Sequence, residues 1–306
     1  MKAFYHDLFT FPLPQDHRFP ISKYALLRDR IQASEHKAYI ELTVSDAATD
    51  EQLLLVHTPE YLEKITQGKL SKEEERRLGF PWSPQLAERS RRSVGSTLQA
   101  CRAALEEGAA VNLAGGTHHA FAGHAEGFCV FNDVAAASRW LQRENPELRI
   151  LVVDCDVHQG NGTASILKQD PNTFTFSIHG EKNFPFRKVP GDLDIGLPDG
   201  TGDEAYLEAL GSGIDQALER FSPHMMIYLA GADPYSQDRL GRLALTKQGL
   251  AERDQIVINT CRQRRIPVAL VMGGGYAKDI NDIVDIHYNS VAATLDYFIS
   301  CKISRP

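Results

Sequence analysis

The chain has 306 residues, 42% of them hydrophobic and 24% charged, ordinary proportions for a soluble globular protein with ample material for a large core. A net charge of −7 gives no basic footprint for nucleic acid and mildly favours a cationic substrate. No apolar run approaches the roughly 18–20 residues of a membrane span, and the first residues lack the basic-then-apolar pattern of a signal peptide. Cys101, Cys129, Cys155, Cys261 and Cys301 are odd in number and form no Cys-x-x-Cys pair. That argues against a disulfide framework or a cysteine-zinc module, and suits a reducing, cytoplasmic location.

In chain order, Ala3–Tyr5 reads as a first strand and Phe9–Phe19 as a loop with Pro12 and Pro14. Ile21–Ile31 predicts a helix with Ser22 as a possible cap. Asp50–Thr66 predicts another, carrying His57, which reads as structural rather than functional. Residues 67–83 are polar and turn-rich, and an aromatic in their proline-bracketed end could line a substrate mouth or pack the loop down. Gln85–Glu107 is helical, with Arg89, Arg91 and Arg92 expected on a solvated face. Ala109–Leu113 is a short apolar strand that ends in Gly115-Gly116-Thr117-His118-His119, and a helix is expected from Asn132 to Arg143.

The apolar, β-branched run Ile150–Val153 is a buried strand leading into Asp154, Asp156 and His158. Alternate residues of an extended segment share a side, so these three converge while Cys155 and Val157 face away. A helix follows from about Thr163, then a strand over Thr173–Ile178 ending at His179. Gly180–Gly202 is a long loop, of the kind that is usually functional or disordered. Asp203–Phe221 is helical; Met225–Leu229 is a strand ending at Asp233; Thr246–Arg262 is helical; Ile266–Met272 is a strand ending in Gly273-Gly274-Gly275-Tyr276; and a final helix covers about Asp279–Ile299.

Strands that alternate with helices predict an α/β fold: a single domain over residues 1–306, with a mainly parallel sheet and helices on both faces. In such sheets the ligand site lies beyond the carboxyl ends of the strands, where the polar and glycine-rich residues above gather. Asp156, His158 and Asp233 would give one metal three protein ligands and leave a position open for water, the mark of a catalytic zinc site. Gly160 and Tyr235 stand where a dinuclear site would need further carboxylates. His118 and His119 suit acid/base roles, with Asp154 and Asn161 as a charged and a neutral partner that would separate their pKa values. Tyr276 could donate its hydroxyl to a carbonyl oxygen as charge builds there. Together these groups describe hydrolysis of a carbonyl compound, most simply an amide. No Gly-x-Ser-x-Gly elbow, phosphate loop or Gly-x-Gly-x-x-Gly fingerprint supports another chemistry.

Five segments in fixed order, Gly-Gly-Thr-His118-His119-Ala, Glu-Gly-Phe128-Cys-Val-Phe-Asn-Asp, Asp154-Cys-Asp156-Val-His158-Gln-Gly-Asn161-Gly, Gly-Ala-Asp233-Pro and Gly-Gly-Gly-Tyr276, resemble the zinc-dependent histone deacetylases of the arginase/deacetylase fold. The His-Gln-Gly-Asn-Gly variant is most similar to the class IV branch and its bacterial relatives. The resemblance covers about residues 1–300. It implies one Zn²⁺ held by Asp156, His158 and Asp233, His119 as general base and acid, electrostatic support from His118 with Asp154, and Tyr276 polarising the acyl carbonyl. It implies Phe128, beside Gly127, as one wall of an acyl-lysine tunnel. It also implies structural K⁺ held by backbone carbonyls around Asp154, Asp156, His158 and Ser177. Three departures are visible. Pro81 stands where class I members place a substrate-gripping Asp. Gly180 and Glu181 fall near the second aromatic wall, with Phe184 or Phe186 as replacements. Asn161 replaces an Asp beside His119.

The leading expectation is removal of an acyl group, acetyl by default, from lysine in a protein or peptide. The alternatives are a small-molecule deacylase acting on an acetylpolyamine or related metabolite, and a non-catalytic acyl-lysine binding protein. The sequence leaves zinc or iron(II) open.

Overall fold

Eight strands form one wholly parallel sheet in the computed structural model, which describes residues 1–303. The strands are β1 (Lys2–Tyr5), β2 (Glu41–Val44), β3 (Ala109–Asn112), β4 (Ile150–Asp154), β5 (Thr173–Gly180), β6 (Leu193–Leu197), β7 (Met225–Leu229) and β8 (Val268–Val271), in the spatial order β2-β1-β3-β8-β7-β4-β5-β6. The helices are α1 (Lys23–Gln32), α2 (Asp50–Leu53), α3 (Pro59–Gln67), α4 (Lys72–Leu78), α5 (Pro84–Glu107), α6 (Asp133–Glu144), α7 (Asn161–Leu167), α8 (Asp203–Arg220), α9 (Lys247–Arg264) and α10 (Ile280–Ile303).

The central strands read as unbroken apolar runs because both their faces are covered. Leu151 and Val153 of β4 pack with Leu27 of α1, Leu210 of α8, Val257 of α9 and Ile286 of α10. Ile150 and Val152 point the other way, onto Leu98 of α5 and Val134 of α6. A third apolar cluster joins Phe9, Phe19 and Phe80 to Phe128 and Tyr276. It ties the first 80 or so residues to the carboxyl edge of the sheet. Because β8 and β7 lie between β3 and β4, the loops leaving those four strands meet at one place.

Several expectations need correction. The stretch 67–83 holds a helix, α4, started by a capping box between Ser71 and Glu74. The predicted helix Asp50–Thr66 is two helices, because Thr58 caps a new start with Pro59 in its first turn. Two edge strands add to the expected set: β2 in a stretch to which the sequence assigns no element, and β6 within the loop 180–202. Ser22 holds the cap position of α1 but makes no side-chain cap bond. Arg89 is not solvated: it is 2% exposed, with Nη2 donating to the Tyr24 hydroxyl at 3.0 Å. Arg91 and Arg92 are half-buried, donating to the carbonyls of Ala48 and Ser45.

Candidate active site and metal cluster

The end of β4 sets the site. Cys155 and Val157 turn into the core while Asp154, Asp156 and His158 face the rim, as the alternation predicts. Asp156 and His158 meet Asp233 from the loop after β7, with one ligand atom from each within 4.8 Å of the others. His158 Nδ1 lies 3.0 Å from Asp156 Oδ1 and 3.2 Å from Asp233 Oδ2. The second oxygens are held from behind: Val157 N–H donates to Asp233 Oδ1 at 2.9 Å and Gly274 N–H to Asp156 Oδ2 at 2.7 Å. Only a glycine fits at 274, since a Cβ there would stand 1.9 Å from Asp233 Oδ2.

This donor set fits a divalent cation. Asp233 Oδ2 is buried and accepts no hydrogen bond. Burial and the neighbouring Asp156 push the Asp233 carboxyl up to about 7. Burial works against charge on His158, but the two carboxylates overcome it and raise the imidazole to about 10. Two buried acids and an imidazole so arranged demand positive charge among them, which a metal supplies.

Above the cluster, His118 and His119 have the unlike partners expected. His118 Nδ1 is 2.6 Å from Asp154 Oδ2, and His119 Nδ1 is 2.7 Å from Asn161 Oδ1. Burial opposes charge on both rings. For His118 the carboxylates of Asp154 and Asp156 prevail and lift it to about 9. For His119 burial and the cationic His118 and His158 prevail and hold it well below the usual imidazole range. Asn161 Nδ2 donates to Glu126 at 3.2 Å, which turns the amide oxygen towards His119. That oxygen accepts only from an N–H, so His119 carries its proton on Nδ1 and presents a bare Nε2.

A cleft of ≈ 500 Å³ leads to His119, His158 and Tyr276 between Gly127, Phe128 and Phe184. Phe128 has φ +67°, a rare conformation for a bulky residue. Its N–H donates to the Leu78 carbonyl at 2.7 Å, so the end of α4 fastens this wall. A Cβ at Gly127 would stand 2.6 Å from His119 Cδ2. Phe184 forms the opposite wall, its ring 4.9 Å from that of His119 and 6.4 Å from that of His158. Phe186 is 88% exposed at the rim, so Phe184 is the aromatic beside the histidines. Pro81 does not line the cleft; it lies on a neighbouring open groove with His17 and Phe80, which shares Arg76 with the cleft. Trp82 packs its loop down, donating to the Ile65 carbonyl at 2.8 Å. His57 is structural: Nδ1 faces the Phe121 carbonyl and Nε2 accepts from Asn132 N–H, both at 3.0 Å.

Other supporting groups were not singled out from the sequence. Asp238 accepts the Tyr276 N–H at 2.6 Å, and Arg239 Nε donates to the Tyr276 carbonyl at 2.9 Å. Asp133 accepts from the N–H groups of Gly116 and Thr117 at 3.0 and 2.7 Å, fixing the turn before His118. Arg253 lies beneath the cluster and donates to the carbonyls of Cys155 and Gly231. Only Asp133 had a visible signal, as the last residue of the Phe128 segment.

A parallel sheet with an Asp-His-Asp cluster, paired histidines and a tyrosine at its carboxyl edge defines a metal-site hydrolase of the arginase/deacetylase fold. A family model described as Histone deacetylase domain matches residues 17–291. The chain belongs to the histone deacetylase family and is a deacetylase hydrolase. It is 44% identical over 286 residues to an uncharacterised protein of Picosynechococcus sp., covering 92% of this chain and 94% of that one. It is 29% identical to the acetoin utilization protein AcuC of Bacillus subtilis, covering 87% of this chain and 74% of that one. The crystal structure of an HDAC homolog complexed with SAHA superposes with a TM-score of 0.79 at 26% identity, covering 98% of this chain and 88% of that chain.

Proposed function

We propose that this protein is a zinc-dependent deacylase that hydrolyses the amide between an acyl group and the side-chain amine of lysine in a peptide or protein. The observation that carries the reading is the convergence of the buried Asp156–His158–Asp233 cluster, His119 and Tyr276 at the floor of one aromatic-walled cleft. Asp156, His158 and Asp233 would hold the zinc, which when bound would supply Lewis acidity and lower the pKa of water at the site. His119 Nε2 takes the proton of the attacking water and returns it to the amine nitrogen as the C–N bond breaks; the remaining proton of that water passes from the new carboxylic acid to the released amine, leaving a carboxylate and an ammonium. Tyr276 donates its hydroxyl to the acyl oxygen as negative charge gathers there. Burial, with Asp233 and Asp156 close by, keeps that phenol well above its usual pKa, so it remains a donor. His118, charged against Asp154, offsets negative charge beside the reacting atoms. Phe128 and Phe184 line the path of the acyl-lysine stem, with Gly127 giving room beside His119.

The same reading takes residues 1–306 as one catalytic domain. It is supported at the structural K⁺ site by the register of Asp154 with Ser177 on adjacent strands. Five free cysteines favour a cytoplasmic location. The test is release of acyl groups from lysine peptides bearing acetyl, medium and long chains, beside acetylpolyamines, with and without a chelator. Chelator-sensitive release from peptides is expected. Release from small amines alone moves the function to metabolite deacylation. Zinc-loaded protein that binds these peptides without cleaving them overturns the enzyme reading.

A further inference from the structure

The mouth of the cleft carries the opposite charge to the chain. The chain is −7 overall, yet the cleft is lined by Arg18, Arg76, Arg77, Lys182 and Arg242 against one carboxylate, Glu126. These cations come from four separate segments: the stretch before α1, the last turn of α4, the β5–β6 connection and the β7–α9 connection. A basic residue at a helix end is favoured by the helix dipole, which accounts for Arg76 and Arg77 without any ligand. It does not account for Arg18 or Lys182, which lie on no helix. Arg242 is paired with Asp199 at 2.9 Å. Among the described residues, Arg18, Arg76, Arg77 and Lys182 make no ion pair and are exposed. Glu126 sits deeper, bonded to the Asn161 amide. The Arg18 guanidinium lies 5.0 Å over the Phe128 ring, so one of the free cations stands on the tunnel wall itself.

From this ring we propose that the mouth selects acylated amines bearing carboxylates near the reacting amide, and that the substrate is an acyl-lysine flanked by Asp or Glu in a peptide. The inference rests on the deacylase reading above and adds the substrate's charge. Like-sign charge at a cleft mouth repels and opposite charge raises local concentration. A polycation such as an acetylpolyamine is therefore disfavoured, and the preference for a cationic substrate suggested by net charge is reversed at the one place where substrate enters.

The experiment compares kcat/KM of the zinc-loaded protein for three acetyl-lysine peptides with flanks of Asp/Glu, Ala/Gly or Lys/Arg. Nα-blocked acetyl-lysine, as free acid and as amide, and an acetylpolyamine complete the set, at low and high salt. The acidic peptide should exceed the basic one by about ten-fold or more at low salt, and the ratio should collapse as salt screens the ring. Arg76→Glu with Arg77→Glu, which leaves three cations against three carboxylates, should abolish the preference, and Lys182→Glu, which lies off the helix and guards against a local folding effect, should reduce it. Equal turnover of all three peptides, or preference for the basic one, overturns the inference while leaving the deacylase reading intact. Discrimination between free acid and amide without response to the flanks overturns the peptide as source of the carboxylate. No turnover of any peptide or small amine, with zinc bound, overturns the deacylase reading, and this inference with it.

Discussion

At the scale of single residues, the site divides two adjacent histidines by giving them unlike partners. The charged His118–Asp154 pair and the neutral His119–Asn161 pair lie side by side, with ring centroids 4.1 Å apart. Asn161→Asp should place a carboxylate against His119 and stabilise its charged form, raising its pKa. A base must be unprotonated to act, so the acidic limb of the pH–rate profile should move to higher pH; an unmoved limb removes His119 from the base role. Tyr276→Phe should lower kcat by about 10²–10³-fold, the usual loss for one donor to a developing oxyanion, with zinc content unchanged. Near-normal turnover in that variant removes the tyrosine from the chemistry. Gly127→Ala would set a methyl group 2.6 Å from His119 Cδ2 at φ +55°. A loss of turnover with zinc still bound is expected, read by activity and metal content on one sample.

At the scale of elements, the legible parts were those buried on both sides. Strand β4 and its polar end could be read because an apolar run and a period of two coincide there. The edge strands could not. Glu41–Val44 has one neighbour and no buried residue, and Leu193–Leu197 interrupts its alternation with Gly196 amid proline and charge. Helix α4 buries only Leu78, so no apolar stripe announced it, although its Ser71/Glu74 capping box was there to be seen. Arg253, fully buried on α9, shows why side-chain function inside an element escapes sequence reading. It pairs with Asp254, which also accepts from the Tyr228 and Ser290 hydroxyls at 2.5 Å each, and it holds the carbonyls of Cys155 and Gly231 between the metal-cluster residues. Arg253→Met should leave Asp254 charged and unpaired in the core and cost about 3–5 kcal/mol, measured by urea unfolding. A loss below 1 kcal/mol would mean that the pair does not support the site.

At the scale of the whole molecule, strand order explains why distant segments act together. The loops after β3, β4, β7 and β8 meet only because β8 and β7 are inserted between β3 and β4, an ordering no local pattern reveals. Their polar ends could be assigned to one rim from the sequence, and the resemblance named Phe128 for one wall; the choice of Phe184 over Phe186 for the other, and the basic mouth above them, required the fold. Cations scattered at positions 18, 76, 77 and 182 disappear into a net charge of −7 until the sheet brings them to one opening. The most direct test of the central claim is titration of the metal-free protein with zinc while following acetyl-lysine peptide hydrolysis and bound metal together. Activity that rises from zero and saturates at one zinc per chain is the predicted result. Stoichiometric zinc binding with no hydrolysis, or full hydrolysis without metal, would contradict it.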